Sequence, residues 1–174
     1  MRQIWLLRHA KSSWDDPTLP DEDRPLAPRG VRGAAGMASY LSTVDAPRLV
    51  LCSSGLRARQ TLGAVLPSLG ADLEIRIEPE LYTFDAHVLL ERIRRIDDDV
   101  ASIMLVGHNP ALEELALGLS TSGELRDRLD EKFPTAALAT IDVPDGPWSA
   151  LREGTGELTT FVAPSDLTPG ETTA

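Results

Sequence analysis

Short continuous apolar runs alternate with apolar residues at helical spacing along most of the chain. The runs cover residues 4–7, 49–52 and 103–106, and each has the character of a strand buried on both faces of a sheet. The helical stripes cover residues 34–41, 62–69, 89–96 and 112–119. This order predicts an α/β fold of three layers, with a mostly parallel central sheet and helices on both faces.

The remaining strands are predicted from alternation and turn signals. Charged and apolar residues alternate over 74–77, which indicates a further strand. Segments 136–141 and 157–162 predict two strands joined through a turn-rich stretch at 144–147, and we expect them to pair as an antiparallel ribbon at one edge. Residues 1–162 then form a single domain, whereas 163–174, rich in Pro, Thr and Gly, are expected to form a flexible tail.

Residues with known preferences for helix ends mark the predicted helix boundaries. Pro28 suits the first turn of the first helix, Gly70 closes the second, and the third begins near Asp85. Asn109 is predicted to cap the fourth helix, with Pro110 at its first position. The segments just before these helices are therefore loops at strand ends.

The charge balance limits the expected partners. The chain of 174 residues has 27 acidic and 17 basic side chains, a formal net charge of −10. Such a surface repels nucleic acid and anionic membranes, so neither is expected as a partner. The apolar start is interrupted by Arg8 and is neither a signal peptide nor a membrane span, and the single Cys52 suits a reducing compartment. We therefore expect a cytoplasmic protein.

Histidines and arginines follow the three buried strands. Arg8 and His9 come after the first, Arg57 follows the second in a segment that opens a helix, and His108 follows the third. Because ligands of open parallel sheets bind beyond the carboxyl ends of the strands, these side chains are expected to meet at one edge. Helix N-termini and arginines both favour an anion there. An imidazole in such a pocket can attack phosphorus, so the sequence predicts phosphoryl transfer.

Three motifs around these residues resemble the histidine phosphatase superfamily, which has the phosphoglycerate mutase-like fold. They are LLRHAK at 6–11, RARQT at 57–61 and GHNP at 107–110. The resemblance implies that His9 is the phosphorylated nucleophile and that Arg8, Arg57 and His108 bind the phosphoryl group. It also implies a polar pocket residue at Ser12.

Within that superfamily the chain is most similar to the SixA-type phosphohistidine phosphatases. The features are Ala10-Lys11-Ser12 after the nucleophile, the DRPLAPRG run at 23–30 and the short length. This resemblance implies a metal-independent phosphatase without a cofactor, acting on a phosphorylated protein or small phosphorylated substrate, and most specifically on phosphohistidine in proteins. The length and the acidic balance are compatible with a monomer, which we expect. One departure is Asp15, where the mutases commonly have asparagine.

A second departure concerns the general acid. The mutase-like members supply a glutamate from a longer middle segment, and here only Glu78 and Glu80 are loose candidates. A phosphohistidine has an already labile N–P bond, so a missing acid favours it over an alkyl phosphate.

Other interpretations of the same residues stay open. Each histidine or arginine taken singly is more often structural than catalytic, and His87 is interpreted as a surface or core residue. Alternative functions are a phosphomonoesterase for a small metabolite and a catalytically inactive phosphate- or protein-binding module. Cys52 lies one residue too close to Arg57 for a cysteine phosphatase loop and is interpreted as core. The spacing of potential ligands gives little support to a metal site.

Overall fold

The structure is a computed structural model that describes residues 1–45 and 47–167. Its centre is a six-stranded sheet in the order β3-β2-β4-β1-β5-β6. The strands are β1 (Arg2–Arg8), β2 (Leu49–Ser53), β3 (Glu74–Glu78), β4 (Ser102–Gly107), β5 (Leu138–Val143) and β6 (Glu157–Val162). The first four are mutually parallel, whereas β5 runs antiparallel to β1 and β6 antiparallel to β5. The mostly parallel sheet and the antiparallel ribbon at one edge are therefore confirmed.

Five helices cover the two faces of the sheet in the described residues. They are α1 (Pro28–Leu41), α2 (Leu56–Val65), α3 (Ala86–Arg94), α4 (Ala111–Leu119) and α5 (Glu124–Glu131). Alternate residues of β1 point to opposite faces, as the two-residue period of a strand requires. Ile4 and Leu6 pack in a core with α3, α4 and α5, while Trp5 and Leu7 pack in a second core with α1 and α2. The three-layer α/β prediction is confirmed.

The predicted starts of α1 and α3 are confirmed. Pro28 occupies the first turn of α1, and the Asp85 side chain caps α3 by accepting a hydrogen bond of 2.8 Å from the His87 N–H. The predicted cap at Asn109 is wrong. Its amide donates to the Glu113 carboxylate and the Phe133 carbonyl instead, and α4 begins only after Pro110.

Helix α2 begins and ends earlier than the apolar stripe alone indicates. It ends at Val65, and a 3₁₀ turn (Leu66–Ser68) leads to Gly70, whose φ of +82° is the left-handed conformation that glycine adopts readily. The strand predicted from residue 136 starts at Leu138, because Ala136 has φ +61° and belongs to the turn before it.

The segment predicted as a tail begins with packed structure. A 3₁₀ turn (Pro164–Asp166) follows β6, Ala163 is buried, and Asp166 pairs with Arg128 of α5. Residues 168–174 of that segment lie outside the described residues. No helix within the described part of the chain is long and apolar enough to cross a membrane.

Candidate active site

The carboxyl ends of three neighbouring strands bring the predicted residues together. Strands β2, β4 and β1 are adjacent in the sheet, and Arg8 stands opposite Gly107 in the β1–β4 register. The His9 N–H continues this pairing with a hydrogen bond of 3.0 Å to the Gly107 carbonyl. His9 and His108 thereby leave the sheet side by side, and their ring centroids lie 5.1 Å apart.

The His9 imidazole is held in one orientation by its own loop. Nδ1 lies 2.7 Å from the Ala10 carbonyl, an acceptor, so Nδ1 carries the ring proton. The loop is fixed in turn, because the Ala10 N–H donates to the Thr61 hydroxyl of α2 at 2.9 Å. The lone pair is therefore on Nε2, the nitrogen that faces the other site residues.

Burial keeps the His9 ring uncharged. Desolvation is the largest of the effects that together lower the pKa of His9 to about 4. The Ala10 carbonyl opposes the shift, and the positive charges of Arg57, Arg8 and Arg24 add to it. An imidazole with this pKa is neutral at pH 7 and keeps the Nε2 lone pair that nucleophilic attack requires.

Arg57 joins the nucleophile to a carboxylate. Its Nε–H donates to His9 Nε2 at 3.3 Å. Its two terminal nitrogens donate to the Asp21 backbone carbonyl at 2.6 Å and to the Asp21 carboxylate at 2.9 Å. The side chain is almost fully buried, so these contacts fix the plane of the guanidinium group.

Asp21 is the site residue that the sequence analysis missed. Its carboxylate accepts hydrogen bonds from the Tyr82 hydroxyl, from Arg57 at 2.9 Å and from Arg24 at 2.8 Å. The bond from Tyr82, followed by those from the two arginines, holds the pKa of Asp21 well below its usual range. Asp21 is therefore an anion at neutral pH. Asp21 is one of several acidic residues before the DRPLAPRG motif, and nothing in the local sequence distinguishes it from the others.

His108 lies in an aromatic environment. Its Nε2 is 2.7 Å from the Ser53 hydroxyl, and the rings of Tyr82 and Phe84 contact it edge-on, with centroids at 5.2 Å and 5.9 Å. Burial lowers the pKa of His108 to about 3, with further contributions from His9 and Arg57, so this ring is also neutral. Its Nδ1 has no hydrogen-bond partner among the described residues.

Arg8 approaches the site from the side of β5. One terminal nitrogen donates to the Phe133 carbonyl at 2.7 Å, whereas the buried Nε has no hydrogen-bond partner among the described residues. Burial lowers the pKa of this guanidinium; Glu113 opposes the shift and Arg57 adds to it.

Ser12 belongs to a neighbouring cluster. Its buried hydroxyl accepts a hydrogen bond from Arg24, whose guanidinium also stacks on the Trp14 ring with its carbon 3.2 Å from the ring centroid. Trp14 is 68% exposed, so it lies on the surface. The structure connects Ser12 to Arg57 through Arg24 and Asp21. Asp15 is exposed and forms none of these contacts.

The two loose candidates for a general acid are paired elsewhere. Glu78 accepts two hydrogen bonds of 2.7 Å from Arg92, which lowers its pKa. Glu80 binds Arg95 at 2.7 Å and lies 3.3 Å from Arg92. Both carboxylates are therefore held as partners of arginines on or just after α3.

Cys52 and His87 take no part in the cluster. Cys52 is completely buried at the end of β2, and desolvation raises the pKa of its thiol to about 12. His87 is exposed in the first turn of α3. Residues 1–45 and 47–167 hold no group of three or more His, Cys, Asp or Glu side chains that could bind a metal ion.

The three-layer α/β architecture, with two imidazoles at the carboxyl ends of the central strands, is that of the phosphoglycerate mutase-like fold. The chain belongs to the histidine phosphatase superfamily, whose branch 1 model matches residues 4–92. It is a phosphatase by family.

Solved structures agree with this assignment over almost the whole chain, and an uncharacterized relative matches a similar length of it. The sequence is 39% identical to the uncharacterized protein Rv1276c of Mycobacterium tuberculosis, covering 91% of this chain and 99% of that protein. A protein assigned as a phosphohistidine phosphatase SixA in Nakamurella multipartitia superposes with a TM-score of 0.81 at 28% identity, covering 94% of this chain and 96% of that one. The protein histidine phosphatase SixA complexed with tungstate superposes with a TM-score of 0.75 at 27% identity, covering 95% and 99%. The resemblance to SixA-type proteins is thereby confirmed.

Proposed function

We propose that this phosphatase hydrolyses phosphohistidine in proteins through a phosphorylated His9. The observation that carries the proposal is that Arg57 joins a neutral imidazole, His9, to a carboxylate, Asp21, that is held as an anion. The neutral imidazole can attack phosphorus. The ionised Asp21 has no proton to donate to an alkoxide leaving group, which would need one.

The first half-reaction uses the Nε2 lone pair of His9. It attacks phosphorus as the N–P bond of the substrate breaks, and the bonding pair stays on the departing ring nitrogen. A phosphohistidine whose second ring nitrogen already carries a proton departs as a neutral imidazole. No strong acid is therefore needed, in contrast to an alkyl phosphate, whose oxygen requires a proton as the bond breaks.

Arg57, Arg8 and His108 stabilise the charge on the phosphoryl oxygens. Arg57 turns its donors from Asp21 to the substrate, because a guanidinium fork matches phosphate oxygens in two-point contact. Arg8 Nε and His108 Nδ1 are buried and have no hydrogen-bond partner within the described part of the chain, and an unsatisfied buried donor costs about 1–3 kcal/mol. A phosphoryl oxygen in reach of these donors would remove that cost. Ser12 supports the pocket through Arg24.

Water completes the cycle. It attacks the phosphorus of phosphorylated His9, the Nε2–P bond breaks, and inorganic phosphate leaves with the neutral imidazole restored. We place this activity in the cytoplasm and assign it to a monomer, with residues 1–162 as the catalytic domain.

The test compares the wild type with His9→Ala on free phosphohistidine, on a phosphohistidine carrier protein and on a panel of phosphomonoesters. Preferential hydrolysis of phosphohistidine that is lost in the variant is the expected result. Faster hydrolysis of an alkyl phosphate that still depends on His9 would move the substrate to a small metabolite. Binding of phosphate without any turnover would indicate an inactive module.

A further inference from the structure

A groove of about 770 Å³ lies beside the proposed catalytic pocket. Four segments line it: the loop after His9, α1 from Arg29 to Gly36, the chain after α5 and the turn after β6. We call it the basic groove, after the side chains Lys11, Arg29, Arg32 and Lys132 that line it. We propose that this groove binds an acidic stretch of the polypeptide that carries the phosphohistidine, a proposal that rests on the proposed function.

Two segments that line the groove lead directly to residues of the catalytic pocket. Lys11 is two residues from His9. Lys132 and Pro134 flank Phe133, whose carbonyl accepts the hydrogen bond from Arg8. A chain lying in the groove is thus held next to the nucleophile.

The four cations are available to a partner. Each of them is exposed, and none forms an ion pair within residues 1–45 and 47–167. No Asp or Glu side chain of the described residues lines the groove. In a chain with a formal net charge of −10, this is a local concentration of positive charge against the overall sign.

The shape and position of the groove favour a polypeptide as the occupant. The volume far exceeds that of a single phosphoryl group, and the cations are distributed over three segments, so they match several carboxylates in a row better than one anion. An extended nucleic acid would reach beyond the groove onto the acidic remainder of the surface, where repulsion opposes it.

The floor of the groove offers a variant that leaves the fold intact. Gly36 lies within α1 on the groove side, and a Cβ at this position would meet no atom within 4 Å. Replacing a glycine inside a helix generally strengthens the helix. Gly36→Glu therefore adds a negative charge to the groove without a packing penalty, and Gly36→Gln is its uncharged match.

The experiment uses two short peptides that each carry one phosphohistidine, with flanking glutamates in one and glutamines in the other, together with free phosphohistidine. At about 50 mM salt the wild type should hydrolyse the glutamate peptide roughly tenfold more efficiently by kcat/KM, and higher salt should shrink this ratio. The triple variant Arg29→Gln/Arg32→Gln/Lys132→Gln and Gly36→Glu should bring the ratio close to one. Both should retain wild-type hydrolysis of free phosphohistidine.

Two controls match the variants in charge and position. Arg152→Gln removes an exposed arginine that lines a pocket with Arg2 at the amino end of β1, whereas the groove adjoins the loop at the carboxyl end of that strand. It should keep the full preference, as should Gly36→Gln. An unchanged ratio in the triple variant, or an equal loss on free phosphohistidine, overturns the proposal. Displacement of the glutamate peptide by a lower concentration of single-stranded oligonucleotide overturns it as well.

Failure of the proposed function gives a different result. If the wild type hydrolyses none of the three phosphohistidine substrates, the catalytic proposal is wrong. The groove is then tested by fluorescence anisotropy of the labelled, unphosphorylated glutamate peptide. Tighter binding by the wild type than by the triple variant supports the groove, and equal binding overturns it.

Discussion

The Nε–H group of Arg57 points at the Nε2 lone pair of His9 across 3.3 Å. The nitrogen that would attack phosphorus is thus oriented in the free protein by the same guanidinium that would bind the phosphoryl oxygens. Arg57 therefore contributes both to the position of the nucleophile, together with the Ala10 carbonyl, and to the stabilisation of charge.

Replacing Arg57 by Lys should lower kcat/KM by about 10²-fold. An ammonium group retains the charge but cannot present one donor to His9 and two to a phosphoryl group or Asp21 in a fixed plane. Steady-state kinetics on free phosphohistidine measure the effect. Arg59→Lys is the matched control, because Arg59 is exposed and, among residues 1–45 and 47–167, its side chain donates a hydrogen bond only to the Ser54 carbonyl. Similar losses in the two variants would contradict the role given to Arg57.

His9→Ala should abolish the phosphoenzyme and reduce turnover by at least about 10³-fold, since the variant lacks the Nε2 lone pair that attacks phosphorus in the proposed mechanism. The measurement is covalent labelling with a small activated phosphate donor, followed by mapping of the labelled peptide. Cys52→Ser should label and turn over normally, because the buried thiol has a pKa of about 12 and stays protonated. A label on any residue other than His9 would contradict the mechanism.

The pH profile of kcat/KM should be flat from neutral pH down to about 5 and fall below the His9 pKa of about 4. An ordinary exposed histidine would cause the fall to begin near 6.5 instead. Rates are corrected for ionisation of the substrate, and circular dichroism monitors the fold. The same lowered pKa means that His9 takes up its proton at a higher pH in the unfolded chain than in the folded protein. The contribution of His9 to the free energy of unfolding is therefore fully present above a pH of about 6.5. It is lost as the pH falls from there through about 4. A kinetic midpoint near 6.5 would contradict the buried neutral imidazole.

Asp21→Asn should tighten inhibition by inorganic phosphate roughly threefold and lower kcat. The carboxylate competes with phosphate for Arg57, but Asp21 is 44% exposed, so solvent screening keeps the effect small. The loss of kcat follows from looser orientation of Arg57. Inhibition constants of phosphate at constant ionic strength provide the measurement, and an unchanged constant would exclude competition.

Gly30→Ala should destabilise the protein by about 3 kcal/mol or more, because a Cβ at this position would lie 2.0 Å from the Lys11 carbonyl oxygen. The clash separates α1 from the loop that follows His9. Gly36→Ala in the same helix is the control and should stabilise by up to about 1 kcal/mol. Urea denaturation measures both, and equal stabilities would contradict the close packing of α1 on this loop.

The sequence predicted the elements whose signals are local. The runs at 4–7, 49–52 and 103–106 are apolar because both faces of their strands are covered, and their carboxyl ends meet because the strands are parallel neighbours. Helix α5 was missed because its sequence ELRDRLDE buries only Leu129 and therefore has almost no apolar stripe.

The missed parts of the site depend on contacts between distant segments. Asp21 meets Arg57 across 36 positions and Tyr82 across 61, and no local pattern marks a carboxylate for such partners. Asn109 illustrates the opposite error. Its residue type favours a helix cap, but the nearby Phe133 carbonyl and the Glu113 carboxylate take up its amide donors.

The position of the three motif-bearing strands within the sheet has a consequence for local opening of the protein. Strands β2, β4 and β1 have a hydrogen-bonded neighbour on both sides, whereas β3 and β6 are the edges. Fluctuations that detach a strand begin where fewer bonds must break, so fraying starts at β3 or β6. Backbone opening at the periphery therefore leaves the carboxyl ends that hold His9 and His108 in register.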